Sequence, residues 1–548
     1  MTESRPHVPE RARDLVAIAA IAVMIGLAVP GLLRYQGPPM EEGFMLAFPE
    51  QILKGNLPHK DFLHLYGPGS LWLLAGVYKV LGVSLTVERL VGLIQHAAVA
   101  YGMFALLRPF GRRVATPAAM VSVLILIGPL GLSAMAWNGA LAFAICGLAL
   151  GAAAVHATGT RARNLAIGAG ILAGLSLLFR PDLIIAVGLG FGAVWFRLPR
   201  GRRWSLLWGL IGSLSLYIPH VLLSGIGNSF RGMFLDPVFK LRGGRSLPVP
   251  PSWNEVDGFL QRAGGLRTTG WPLPMLAIPH QINLWFWMVP ISIAVVVIGA
   301  WRLRRRSPGS RRTSALWPAA LFCLALITQA VQRPDTAHLA WVTGVSFPLL
   351  IPAMLVLAEE RLPKRSDLQR LAMSLGVVVV VLVGVIPFYP VRTYLDLVGQ
   401  SFGFNRFGYV IERDGRKFYF GDSDGARAAQ QVTDRLGELM KPGQSLIVGP
   451  TDLSRTNYSD SFFYYLFPDL DAGTRYIEMD PGIADAPDSG LSGELRHNDW
   501  LILSDAWSGW TEPNDSAHAR STEPNEVVRA HYCMVEDAGM FKLLERCR

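Results

Sequence analysis

The sequence predicts a polytopic α-helical membrane protein that ends in a separate α/β domain outside the membrane. Three observations lead there. Apolar stretches of about 20 residues, the length that crosses ~30 Å of hydrocarbon, recur from residue 15 to residue 388 and then stop. Charge divides at the same place: residues 1–388 carry 35 Lys+Arg against 16 Asp+Glu, net +19, and residues 389–548 carry 16 against 25, net −9. Only 17% of the whole chain is charged, below the ~25% of an ordinary soluble protein. The overall balance of +10 would suit a nucleic-acid binder. Its positive charge, however, sits in short segments between apolar runs, so no nucleic-acid partner is expected.

Eleven spans are expected, at 15–33, 88–107, 114–132, 139–155, 164–179, 183–196, 204–223, 284–301, 315–331, 339–358 and 371–388. The first is too long for a signal-peptide core and no small-residue cleavage site follows it before Tyr35, so it reads as an anchor. A twelfth run, 71–81, is too short to cross and carries Trp72, Tyr78 and Lys79, which suit a helix lying at the interface. With that run kept out of the count, 22 Lys+Arg fall in the short segments on one side and 12 in the much longer segments on the other. The positive-inside rule then places the N-terminus in the cytoplasm and residues 389–548 outside, in a multi-pass protein of the plasma (inner) membrane.

In the outer domain, 426–440 has helical periodicity, Lys441-Pro442-Gly443 is a turn, and 445–448 reads as a short buried strand. Similar strand-like units are expected at 461–467, 475–478 and 500–503, and 527–547 resembles a hairpin turning at 536–539. Domain boundaries are therefore set at 1–388 and 389–548. Cys533 and Cys547 lie where a disulfide can form, although a simple hairpin would not bring them face to face, which leaves the bond open. Cys146 and Cys323 fall inside spans as core thiols. No metal-type cysteine cluster, nucleotide-binding glycine motif or internal repeat is present.

The chemistry-bearing residues gather at outer span ends. After the first span come Pro38-Pro39-Met40-Glu41-Glu42-Gly43, an amphipathic stretch to Lys54, and Gly55-Asn56-Leu57-Pro58-His59-Lys60-Asp61-Phe62-Leu63-His64-Leu65-Tyr66-Gly67-Pro68-Gly69. Glu41 and Glu42, held at the lipid–water boundary, can take a proton from a hydroxyl acceptor or hold a divalent cation; equally, they can simply start a helix. His59, Asp61 and His64 make a weak metal corner, with Asp61 and His64 better read as loop-ordering or acceptor-side groups. His96 is a packed core histidine. The outer loop 224–281 interleaves Arg231, Lys240, Arg242 and Arg245 with Phe230, Phe234, Phe239 and Trp253, a composition that can cover a lipid or rest on headgroups. Trp507, Trp510 and Glu512 either stack on sugar or form a buried cluster.

The first span, the acidic pair beyond it, the Leu-x-Gly-x-Leu-Pro step, Asp61-Phe62, Tyr66-Gly67-Pro68-Gly69 and the short Trp-containing helix together resemble the first outer loop of the GT-C superfamily. Members of that superfamily are integral-membrane glycosyltransferases using polyprenyl-phosphate sugars, and the likeness is to the branch of protein O-mannosyltransferases and lipid A aminoarabinose transferases. The resemblance implies a GT-C-like fold and a base in the acidic pair. Glu41 stands where the family typically has Asp, so either Glu41 or Glu42 is the base. Trp137-Asn138-Gly139 occupies the place of the family's frequent second acid. Arg180, in Phe179-Arg180-Pro181-Asp182, matches the family's basic residue near the lipid phosphate; Arg333, in Arg333-Pro334-Asp335-Thr336-Ala337-His338, is a second such cation. A guanidinium can hold two phosphate oxygens, or each arginine can pair with the aspartate two residues on. Tyr66 contacts the phosphate or anchors the interface, and Asp335 and His338 fall on the acceptor side.

The function implied is transfer of a sugar from a polyprenyl-phosphate donor to a glycan, glycolipid or protein acceptor of the cell envelope. Mg or Mn is the one cofactor left open, and membrane lipids are expected partners. A flippase or transporter would place ionisable groups midway along several spans, and a non-catalytic scaffold would make the acidic pair dispensable.

Overall fold

A computed structural model of the chain describes residues 10–37, 39–263, 271–404, 408–509 and 511–547. Ten helices among them are long and apolar enough to cross a membrane, from Asp14–Leu32 to Asp367–Val385. They follow ten of the eleven expected runs. The remaining run, 183–196, is the 14-residue helix Ile184–Arg197. At 1.5 Å per residue it rises about 21 Å, shorter than its neighbours; it packs on Arg311–Gln332, and Arg197 at its end donates to the Pro308 carbonyl in the loop before that helix.

Thr336–Arg361 is the axis of the bundle. It is buried along nearly its whole length and touches Arg112–Leu130, Ile278–Arg306, Arg311–Gln332 and Asp367–Val380. A helix that is apolar on every side has no solvent face to present and goes to the centre. Its start lies beside the outer domain, where Asp335 caps it by accepting from the His338 backbone N–H.

The first outer loop folds into two short helices, Pro39–Leu53 and Gly69–Leu81, packed on each other. The first was expected to be amphipathic at the lipid–water boundary. It is buried from residue 40 to residue 52, because the outer domain closes over it: the helix Phe462–Leu466 lies against it. The contact is close enough that a β-carbon on Gly43 would stand 2.6 Å from Ser461 Oγ. Arg416 reinforces the junction with a bidentate pair to Glu50, at 2.8 and 2.7 Å.

Among the described residues the outer domain holds seven strands. Tyr409–Arg413 (β1) and Arg416–Phe420 (β2) form a hairpin around Asp414-Gly415, a turn pair suited to positive φ. The others are Ser445–Pro450 (β3), Asp471–Ala472 (β4), Trp500–Ser504 (β5), Tyr532–Asp537 (β6) and Phe541–Arg546 (β7). They form one sheet in the order β4-β3-β5-β7-β6, parallel across β4, β3 and β5 and antiparallel from there. The β3 and β5 runs are buried on both faces, as a covered parallel pair must be. Ser423–Leu439 is the expected helix. Two expectations need correction: 461–467 is the helix Phe462–Leu466, and 475–478 is irregular chain rather than strand. The apolar side chains of both are buried at the junction with the first outer loop rather than in the sheet.

Cys533 and Cys547 are joined in a disulfide, with Cα atoms 5.2 Å apart. A bulge between Met534 and Glu536 shifts the hairpin register by one, which puts both cysteines on one face of the ribbon. The bond closes a loop of 14 residues, a length for which cross-linking is worth about 3 kcal/mol. Cys533→Ser is expected to lower the stability of the outer domain by about that amount, read as earlier loss of near-UV circular dichroism on denaturant titration.

Candidate functional site

A cavity of about 370 Å³ opens where the first outer loop, the 226–245 segment and the outer domain meet. It brings together Glu41, Tyr66, Arg180, Arg333, Asp335 and His338, and adds Asp182, Arg245, Tyr458 and Glu478. One wall is apolar and comes largely from the helical segment 226–245. There Phe234 and Val238 line the cavity and are 41% and 50% exposed, as is Ile184 opposite at 63%. Large apolar side chains left uncovered at a span end are where a lipid chain would lie.

Two adjacent glutamates begin the Pro39–Leu53 helix, and successive helical residues point about 100° apart. Glu42 turns into the bundle. Arg89 holds it in a bidentate pair, Nε to Oε1 and Nη2 to Oε2 both at 2.7 Å. With each side chain 1% exposed and both oxygens occupied, Glu42 cannot serve as the base. Glu41 turns into the cavity. Its Oε2 is buried with no hydrogen-bond partner. Burial pushes its pKa up to about 7, with Asp335 adding to the rise and Arg245 and Arg333 opposing it. A carboxyl near neutrality is poised to accept a proton.

Arg180 ends the Gly159–Phe179 helix because Pro181 follows it. The guanidinium donates to Asp182 from Nε and Nη2, both at 2.8 Å. It also lies 4.4 Å from the ring centres of both Tyr66 and Trp137. Burial opposes its charge, and Asp182 with Tyr66 more than restores it. Gly67 is what lets Tyr66 come so close: its N–H donates to the Phe179 carbonyl at 3.1 Å, and a β-carbon there would stand 2.1 Å from the Leu178 carbonyl oxygen. The two-ring seat positions Arg180 without using all of its donors.

Arg333 is differently placed. It donates from Nε to Asp335 at 2.7 Å, from Nη1 and Nη2 to Glu512 at 2.9 and 2.6 Å, and from Nη1 to the Arg245 carbonyl. Two carboxylates neutralise it, so its expected role as a phosphate ligand gives way to that of a buried tie between the bundle and the outer domain. Asp335 is shared between Arg333 and His338, accepting from the latter's Nδ1 at 2.8 Å, which fixes the imidazole tautomer. Although burial favours the neutral acid, His338 and Arg333 hold the Asp335 pKa well below the usual carboxylate range.

A further cation of the cavity is Arg245, at the end of Leu241–Arg245, with Glu478 3.8 Å from its Nη2. It donates from Nη2 to Asp480 at 2.7 Å and lies 4.7 Å from the centre of the Tyr458 ring, while its buried Nε has no partner. Glu478, beside it, is pushed well above the carboxylate range by burial and by Asp480, against the pull of Arg245. Arg245 was legible only as one of several loop cations. Glu478 and Asp480 carried no sequence signal, because they come to the site through the folding of the outer domain.

The other expected residues lie elsewhere. Asp61 accepts from the Leu57 N–H at 2.8 Å and lines a separate groove with Gln51, Asn56 and Glu494. His64 is packed against the rings of Phe48, His59 and Tyr66, with burial driving its pKa well down. Neither lines the cavity. His59 is engaged on both ring nitrogens, by His220 at 2.9 Å and the Tyr66 carbonyl at 3.0 Å, so the weak metal corner of His59, Asp61 and His64 does not form. Among the described residues no group of three or more His, Cys, Asp or Glu is arranged to hold a metal ion. Trp507 donates to Asp460 at 3.1 Å within a buried aromatic cluster; Trp510 lies outside the described residues. His96 packs against Asn138 inside its span.

No family model matches the sequence, and no curated protein matches it. Solved structures do match. ArnT from Cupriavidus metallidurans, bound to undecaprenyl phosphate, aligns over 98% of both chains with a TM-score of 0.50 at 14% identity. The chain has the GT-C fold. The archaeal oligosaccharyltransferase AglB from Archaeoglobus fulgidus, in complex with an inhibitory peptide and a dolichol-phosphate, aligns over 96% of this chain and 74% of its own with a TM-score of 0.47 at 10% identity. The two glutamates have different surroundings, and stability separates them. Glu42→Ala leaves Arg89 as an uncompensated buried charge and is expected to cost about 3–5 kcal/mol, whereas Glu41→Gln removes a buried charge without stranding a partner. Thermal unfolding of the two purified variants in one detergent, with only Glu42→Ala melting early, is the outcome expected.

Proposed function

We propose that the protein is a membrane glycosyltransferase that moves a sugar from a polyprenyl-phosphate donor to a hydroxyl of a cell-envelope glycan, glycolipid or protein on the outer face of the plasma membrane. The observation that carries this reading is one cavity holding a buried carboxyl near neutrality with one oxygen unpartnered, several arginines including Arg180 and Arg245, and an apolar wall. A lipid phosphate sugar has the matching parts: an anionic head for the arginines, a tail for the wall and an anomeric carbon between. The bound undecaprenyl phosphate of ArnT, whose fold this chain shares, supports the same assignment.

In the proposed reaction Glu41 takes the proton of the acceptor hydroxyl. The acceptor oxygen bonds to the anomeric carbon from the face opposite the phosphate, and the carbon–oxygen bond to phosphate breaks with its electron pair on phosphate. Arg180 and Arg245 stabilise the charge that develops there. Configuration at the anomeric carbon inverts. Tyr66 and Trp137 hold Arg180 in place, and His338, oriented by Asp335, faces the acceptor.

Purified protein supplied with radiolabelled polyprenyl-phosphate sugars and envelope glycans tests the reading, and absence of transfer from every donor would overturn it. The base must be ionised, so transfer should fall as pH drops below about 7, the pKa to which burial raises Glu41. Glu41→Gln should abolish transfer. Stability should move the opposite way. A carboxyl whose pKa is higher folded than unfolded makes the folded state the stronger proton binder, so stability declines as pH rises towards 7, and Glu41→Gln should flatten that decline. Arg180→Ala should lower kcat by about 100-fold or more. Arg180→Lys should not restore it, because an ammonium cannot hold Asp182 and a phosphate in the same plane.

A further inference from the structure

A second cavity, of about 480 Å³, lies between Ile278–Arg306, Thr336–Arg361 and Asp367–Val385. Its lining is hydrocarbon almost throughout, with Phe347, Leu350 and Met354 on the central helix. The one hydroxyl in it, on Ser292, is already bonded to Ser346 Oγ at 2.9 Å. The cavity opens on the flank of the bundle, where Ile291 and Val377 are 52% and 40% exposed.

One cation lines it, Arg361. Thr336–Arg361 starts beside the transfer cavity, and its 26 residues rise about 39 Å, so Arg361 stands at the opposite surface of the hydrocarbon layer. Its neighbours are taken: Arg302 and Arg306 hold Glu360, and Arg312 holds Glu359. Arg361 is exposed and has no ion pair or side-chain hydrogen bond among the described residues. Residues 302–312 and 359–370 together contain ten Lys+Arg against three acids, so the mouth of the groove is strongly positive.

An apolar slot that opens to the membrane, with an unpaired guanidinium at its water end, matches an acyl chain joined to an anionic head. We propose that this groove seats one chain of an anionic phospholipid, with the head phosphate on Arg361. The inference does not depend on the transferase reading, since the groove is at the far end of the bundle from Glu41.

Native mass spectrometry and thermal unfolding of the full-length protein, with phosphatidylglycerol or phosphatidylcholine of identical chains, test it. The expected result is a retained phosphatidylglycerol adduct and a higher melting temperature, neither of which phosphatidylcholine matches. Arg361→Gln should weaken phosphatidylglycerol binding about fivefold, the worth of one cation near an anionic head. Val377→Trp should fill the groove and remove binding. Both positions are exposed, so neither variant threatens folding. Equal retention of the two lipids, wild-type binding by either variant, or a mass of two chains with no lipid would overturn the proposal.

Discussion

The site depends on the buried pair of Arg89 and Glu42. Besides holding both carboxylate oxygens, Arg89 donates to the carbonyls of Leu32 and Tyr35 at 2.9 and 2.7 Å. One guanidinium therefore gathers the end of the first span, the strand of chain leaving it and the first turn of the next helix. A charge placed that deep is tolerated only when every lone pair and proton around it is used. That requirement removes the rotational freedom of the Pro39–Leu53 helix about its axis. Glu41, one residue away, has its direction set by its neighbour's constraint.

Around this fixed point the two cationic seats use different physics. Arg180 is held by aromatic faces and a single aspartate, which orient it and balance its charge with one carboxylate while leaving Nη1 without a hydrogen bond among the described residues. Arg333 is held by two carboxylates and a carbonyl, which satisfy it. Both arginines end a helix before a proline and both have an aspartate two residues on, so local sequence makes them look alike. What distinguishes them is Glu512, nearly 180 residues further along, a contact that only the tertiary fold supplies.

The fold was legible where hydropathy alone decides it. Ten helices long and apolar enough to cross a membrane among the described residues, the short helix at 69–81 and the paired apolar strands at 445–450 and 500–504 follow from burial along one segment. The site was legible in part. Glu41, Tyr66 and Arg180 stand out because polar groups at span ends need partners. Arg89 gave the same signal, an arginine within the second apolar run, and would have identified Glu42 as its partner. Arg245 and Glu478 were hidden among ordinary loop and domain charges. The strand-like reading of 461–467 failed for the same reason as the exposed reading of Glu41's helix: each segment is apolar to cover the other, and neither reveals its partner alone.

The walls of the transfer cavity come from residues 41, 245 and 478, separated by almost the whole chain. A nascent protein whose first spans are already inserted has its glutamate and Arg180 in place but lacks the lid that Arg333 and Glu512 fasten. The cavity is thus completed late in synthesis, once the C-terminal segment has folded against the bundle. A chain shortened before Glu512 would therefore keep Glu41 and Arg180 but lose the contact that closes the cavity over them.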